Sequence, residues 1–117
     1  MLYMLYGETA LALSLDISTY LTATGLDIDN RTNAIFMLKS DPTIVDANAE
    51  YSVEEGPSLD VTGNVLTATI SDFTDLLPNV EYHIGFGIKM AGESTYREMP
   101  LVATKKTIKF RQDVIRA

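Results

Sequence analysis

The sequence contains no cysteine and no tryptophan. Without cysteine there is neither a disulfide framework nor a thiolate zinc site, and folding in a reducing compartment is open to the chain. Without tryptophan, a sugar-stacking platform lacks its largest aromatic. There is a single histidine, His83. A histidine zinc centre needs more than one unless carboxylates supply the rest. A Ser-His-Asp site needs an oriented base and a nucleophile on a sharp turn. No G-x-S-x-G occurs, and by strand alternation the neighbours of His83 on its own face are glycines. No catalytic group, metal or cofactor is expected. Basic residues are also scarce, 9 against 16 acids for a net charge of −7, which disfavours binding to nucleic-acid phosphates. Apolar runs are too short to span a bilayer. Met1 to Tyr6 is apolar but has neither the basic start nor the length of a signal peptide. No internal period or low-complexity stretch marks a repeat protein.

What the sequence does hold is one domain over residues 1–117, long enough to bury roughly 65% of its unfolded surface. Its charge is uneven. Lys105, Lys106, Lys109, Arg111 and Arg116 face only Asp113 in the last 13 residues, net +4, while residues 1–104 carry 4 bases and 15 acids, net −11. Two readings follow. Lysines commonly protect an exposed edge strand from pairing, so this end reads as a solvated edge. Alternatively, it docks on the acidic body of a neighbouring copy, a head-to-tail contact.

The chain is organised around Leu76-Leu77-Pro78-Asn79-Val80-Glu81-Tyr82 and the strand that follows. Pro78 fixes φ and cannot continue a strand. From there Tyr82, Ile84, Phe86 and Ile88 alternate with His83, Gly85, Gly87 and Lys89, the period of a half-buried strand. Gly85 and Gly87 leave one face flat, so something approaches the backbone there. Either an aromatic of the same chain, Tyr96 or Tyr3, lies over them, or a partner subunit does.

Other strands read from the same signals. Ala34 to Lys39 is apolar on both faces and central. Leu59 to Val61 and Val65 to Ile70 flank Thr62-Gly63-Asn64 as a hairpin. Asn48 to Glu54 is a weaker strand, and Thr9 to Leu15 is a first strand by alternation. Thr95 to Met99, continued by Leu101 to Thr104, and Thr107 to Val114 complete the set. Asp16 to Thr24 is polar and indistinct. Residues 1–7 are either the first half of a strand or an arm for a partner, because an apolar tail is costly to leave in water. Leu2, Tyr3, Leu5 and Tyr6 are therefore candidate contact residues, with Gly85, Gly87, Lys105, Lys106, Lys109 and Arg111. Asp27-Ile28-Asp29-Asn30 invites a calcium reading. Thr32 and Leu38 stand where an EF-hand needs Gly and Glu, so turn chemistry is the expectation for Asp27 and Asp29. Glu50, Glu54, Glu55 and Asp60 read as a solvated face.

Strands of this number and spacing, about seven to nine at 8–12 residues each, predict an all-β antiparallel sandwich. Leu77-Pro78 with Tyr82 resembles the tyrosine corner of immunoglobulin-like sandwiches, in which the hydroxyl bonds backbone a few residues upstream. Residues 77–82 with Ala91-Gly92-Glu93-Ser94 also resemble the second half of a fibronectin type III domain. Over residues 27–116 the chain resembles the small immunoglobulin-like structural proteins of tailed bacteriophages. The resemblance rests on Asp27-Ile28-Asp29, Ala34 to Lys39, Asp46-Ala47, the Gly63 to Ile70 hairpin, Leu77 to Tyr82, Tyr96-Arg97-Glu98 and Ile108 to Arg116. It implies a non-enzymatic tail, baseplate or neck component of the virion, assembling with itself or with larger virion proteins and touching neither nucleic acid nor membrane. The alternative is a stand-alone binding module for a receptor or carbohydrate. Its mark would be exposed aromatics, from Tyr3, Tyr6, Tyr20, Tyr51 and Tyr96, around a concavity.

Overall fold

A computed structural model describes residues 1–8 and 12–112. The strands, in chain order, are β1 (Leu2–Leu5), β2 (Ala12–Asp16), β3 (Arg31–Lys39), β4 (Tyr51–Glu54), β5 (Leu59–Thr62), β6 (Val65–Thr69), β7 (Glu81–Met90), β8 (Arg97–Glu98) and β9 (Thr107–Arg111), with one helix, α1 (Ser18–Thr24), between β2 and β3. They form two sheets. The larger has the order β1-β9-β7-β3-β4, with β8 also paired to β7; the smaller is β2-β6-β5. This is the strand order of an immunoglobulin-like sandwich. All pairs are antiparallel except β1 with β9, which run parallel. Thr9 and Leu11 of the expected first strand, and Asp113, Val114 and Arg116 at the basic end, lie outside the described residues.

The sheets close on one another because each presents an apolar face at strand period. Tyr82, Ile84, Phe86 and Ile88 of β7 are buried, as are Phe36 and Leu38 of β3 and Ile108 and Phe110 of β9; Leu59, Leu66, Ala68 and Ile70 meet them from the other sheet. Aromatic edges knit the larger sheet's inner face: Phe36 lies 4.9 Å from Phe86 and 6.1 Å from Tyr51 between ring centroids.

The tyrosine corner forms as expected. The Leu77 N–H donates to the Tyr82 hydroxyl oxygen at 2.8 Å, and burial pushes the Tyr82 phenol up. Asn79 takes the left-handed backbone at φ 63°, which Asn tolerates. Tyr82→Phe should lower stability by about 1 kcal/mol, the net worth of one hydrogen bond. A melting temperature equal to that of the parent would contradict this. The β5–β6 hairpin also forms. Gly63 and Asn64 make a two-residue loop between the paired Thr62 and Val65, with Gly63 at φ 58°, the positive first position of a type II′ turn.

Three expectations are corrected and one open choice is decided. Residues 16–24 are not indistinct: Ile17, the residue capping α1, and Leu21 within it, four apart, are buried on one side. Gly25 at φ 70° ends the helix. The strand after Tyr96 shrinks to β8, because Pro100 offers no N–H to a ladder; the chain leaves the sheet and makes a 3-10 turn at Ala103–Lys105. The basic closing strand is not an edge, since β9 lies between β1 and β7. Of the two readings for residues 1–7, the structure takes the strand: β1 is the edge strand, with Leu2 and Met4 packed on the core.

Glu55 is more than part of a solvated face. The Arg31 guanidinium grips it as a fork, Nε to Oε1 at 2.8 Å and Nη2 to Oε2 at 2.6 Å, and that pairing holds the Glu55 carboxyl below its usual range. A depressed folded-state pKa contributes stability at neutral pH that is lost as pH falls through the carboxylate range. Glu55→Gln should therefore destabilise by about 0.2–1 kcal/mol at pH 7, with the difference vanishing once acid has protonated the carboxylate in the folded protein. A gap between the two proteins that is constant from neutral to acid pH would contradict it.

Candidate contact surface

The candidate residues fall on the outer face and free edges of the larger sheet. β1 sets the character of one edge. Its even residues point inward, so Tyr3 and Leu5 point out, 53% and 47% exposed. Beside it on β9, Lys109 is opposite Tyr3 and Arg111 opposite Leu5. The Arg111 guanidinium lies 4.0 Å over the Tyr3 ring, a cation–π contact that holds the charge near the sheet margin. Lys105 and Lys106 are exposed in the turn that leads into β9. Among the described residues the ion pairs are Arg31–Glu55, Lys39–Asp46 and Arg97–Glu93. None uses Lys105, Lys106, Lys109 or Arg111.

Leu2 and Tyr6 are drawn into the fold. Leu2 packs on the core. The Tyr6 hydroxyl donates to the Leu76 carbonyl at 2.7 Å, and its ring stands edge-on to Phe73 at 5.2 Å. The flat face is covered from within the chain at Gly87, which is buried, while Gly85 is half-buried beside a groove. A Cβ on Gly87 would stand 3.1 Å from Tyr96 Cβ, 3.2 Å from Ile35 Cγ2 and 3.3 Å from the Arg97 carbonyl. A Cβ on Gly85 would meet Met37 alone, its Cγ at 3.3 Å and its carbonyl oxygen at 3.9 Å. Tyr96 is held in place by Asn33 Nδ2, which donates to its hydroxyl at 2.9 Å, and by the Lys89 ammonium 4.5 Å from its ring. Burial, and then the nearby Glu54 carboxylate, push the Tyr96 phenol up.

A shallow groove of about 250 Å³ runs beside these glycines, bordered by Met37, Lys39, His83, Tyr96 and Glu98. The five tyrosines do not gather round it. Tyr51 is buried in the core, with its hydroxyl on the Thr69 carbonyl at 3.3 Å, Tyr6 is tied to Leu76, Tyr3 lies at the sheet margin, Tyr20 borders a second, open depression that shares His83 and Glu98, and Tyr96 alone of the five borders the groove itself. Asp27 does turn chemistry, its Oδ1 accepting from the Asp29 N–H at 3.0 Å. Among the described residues no group of three or more His, Asp or Glu side chains is placed to hold a metal ion, and no helix is long and apolar enough to cross a membrane.

Sequence reasoning passed over the opposite margin, β4. Ser52 and Glu54 are exposed on the outer face, while Glu50 is engaged by Ser40, whose N–H donates to it at 2.9 Å. The alternation Tyr51-Ser52-Val53-Glu54 was the available signal, but it does not say which side of β4 lacks a neighbour. No protein-family model, curated protein or solved structure matches the chain.

Proposed function

We propose that this chain is a non-enzymatic structural module that works by protein–protein contact and associates with copies of itself, as a part of a tailed-bacteriophage particle. The virion assignment rests on the sequence resemblance, and the immunoglobulin-like sandwich is consistent with it. The contact reading rests on one observation: among the described residues β1 is an edge strand with no outer neighbour and no charged residue, proline or bulge, carrying exposed Tyr3 and Leu5 beside Lys109 and Arg111, which none of the described ion pairs uses. Sheet edges are ordinarily blocked by one of those devices because they pair readily, and exposed apolar patches of this kind mark interaction sites.

Light scattering over a range of protein concentration tests this. The expected mass lies above the 12.9 kDa of one chain, rises with concentration and falls at high salt. Replacing both Tyr3 and Leu5 by Glu should return it to one chain without loss of the folded spectrum. A single-chain mass for the parent at every concentration and salt would overturn the reading.

A further inference from the structure

We infer that copies join head to tail, β1 of one pairing antiparallel with β4 of the next, so that the larger sheet continues from copy to copy. The inference rests on the contact reading above and names its partner and its two surfaces. Three observations carry it.

The first is which backbone groups are free. In an antiparallel pair the hydrogen-bonded residues alternate. The Glu55 N–H donates to the Ala34 carbonyl at 2.9 Å, so on β4 the residues bonded to β3 are Tyr51 and Val53, and Ser52 and Glu54 direct their N–H and C=O groups away from the sheet. On β1 the Tyr6 N–H donates to the Arg111 carbonyl at 2.8 Å. The even residues there face β9, and Tyr3 and Leu5 direct their N–H groups to the free side; the Tyr3 carbonyl points there too, while the Leu5 carbonyl accepts from the Glu8 N–H at 3.2 Å. Among the described residues no other strand takes up either edge. Both edge strands are four residues long.

The second is direction. β9 is antiparallel to β7, β7 to β3 and β3 to β4, while β1 is parallel to β9. β1 and β4 therefore run in opposite senses within one sheet. A copy displaced along the sheet without being turned over brings its β1 antiparallel to its neighbour's β4, the more stable pairing. Outer faces stay on the same side, and Tyr3 comes opposite Glu54 and Leu5 opposite Ser52.

The third is charge. The β1 margin carries Lys109 and Arg111, with Arg111 lying over Tyr3 toward the edge. The β4 margin carries Glu54. A β1–β1 pair would bring the two basic rows together, and a β4–β4 pair the two acidic margins. Only β1 with β4 sets opposite charges face to face, and like-charge juxtaposition is what suppresses wrong pairings. A contact between two different surfaces does not close on a pair of copies; it builds a ring or a filament.

The test uses two full-length variants, Arg111→Glu and Glu54→Arg, each followed by light scattering alone and as an equimolar mixture. Each alone would face like charge with like and should show the single-chain mass. In the mixture every β1 margin again finds a complementary β4 margin, so the parent mass should return. Ser52→Pro provides a second route. It removes only an outward N–H of β4, leaving the β3 ladder and all charges in place, and should also give a single chain. If the parent associates but Glu54→Arg and Ser52→Pro keep its mass, the head-to-tail join is overturned while the contact reading stands. If the parent never associates, both fall.

Discussion

Phe36→Ala should cost about 3–5 kcal/mol of folding stability, the range for emptying a buried aromatic site. Phe36 is 0% exposed at the middle of β3, and its ring touches Phe86 at 4.9 Å and Tyr51 at 6.1 Å. Its neighbours cannot collapse into the gap, because β3 is hydrogen-bonded on both sides, to β4 and β7, and the backbone is thereby fixed. A domain of this size is stable by about 5–15 kcal/mol in total, so the variant should lose about a fifth of it or more. Chemical denaturation should show a lower midpoint with an unchanged slope. A midpoint within error of the parent would mean that the two sheets do not meet at Phe36.

The second large effect is expected at Gly87, with Gly85 as its control. An added Cβ at Gly87 meets the Arg97 carbonyl at 3.3 Å, together with Tyr96 Cβ and Ile35 Cγ2. A carbonyl in a paired strand cannot rotate aside, so β8 must move away from β7. Gly87→Val should cost about 1–3 kcal/mol, as overpacking does, and should disturb the bond from the Met99 N–H to the Phe86 carbonyl, now 2.8 Å. At Gly85 the one tight neighbour is Met37 Cγ at 3.3 Å, with the Met37 carbonyl at an ordinary 3.9 Å, and an unbranched Met side chain can shift by a few tenths of an ångström. Gly85→Ala should shift the melting temperature far less. Equal losses at the two positions would contradict the account of what covers them.

The contrast shows what the sequence could and could not carry. A flat, glycine-lined face was legible from alternation in β7, and Tyr96 was one of two aromatics named to cover it. The tyrosine corner was legible because it is local: Pro78 sets the backbone and Tyr82 reaches back five residues. The β5–β6 hairpin was legible for the same reason. Helix α1 was not, because it and its capping residue bury only Leu21 and Ile17 and depend on the sandwich for stability, as short helices do. The position of β9 was misjudged because lysines protect edges in general, and nothing local reveals that β1, from the other end of the chain, lies alongside. That parallel pairing also moved the contact surface. The basic strand became interior, and the free margin passed to Tyr3 and Leu5, with Ser52 and Glu54 opposite at β4. Strand order is a long-range property, and it decides which residues are left to meet a partner.

The central claim is that the two margins of the larger sheet are free in one copy and paired in an assembly. Backbone amide hydrogen exchange, followed residue by residue at low and high protein concentration, reads this directly. The account predicts that the Tyr6 amide, bonded to Arg111, is protected at both concentrations, while the Tyr3, Leu5, Ser52 and Glu54 amides exchange quickly in dilute solution and become protected together as concentration rises. Rapid exchange at those four positions at every concentration, with the Tyr6 amide still protected, would contradict it.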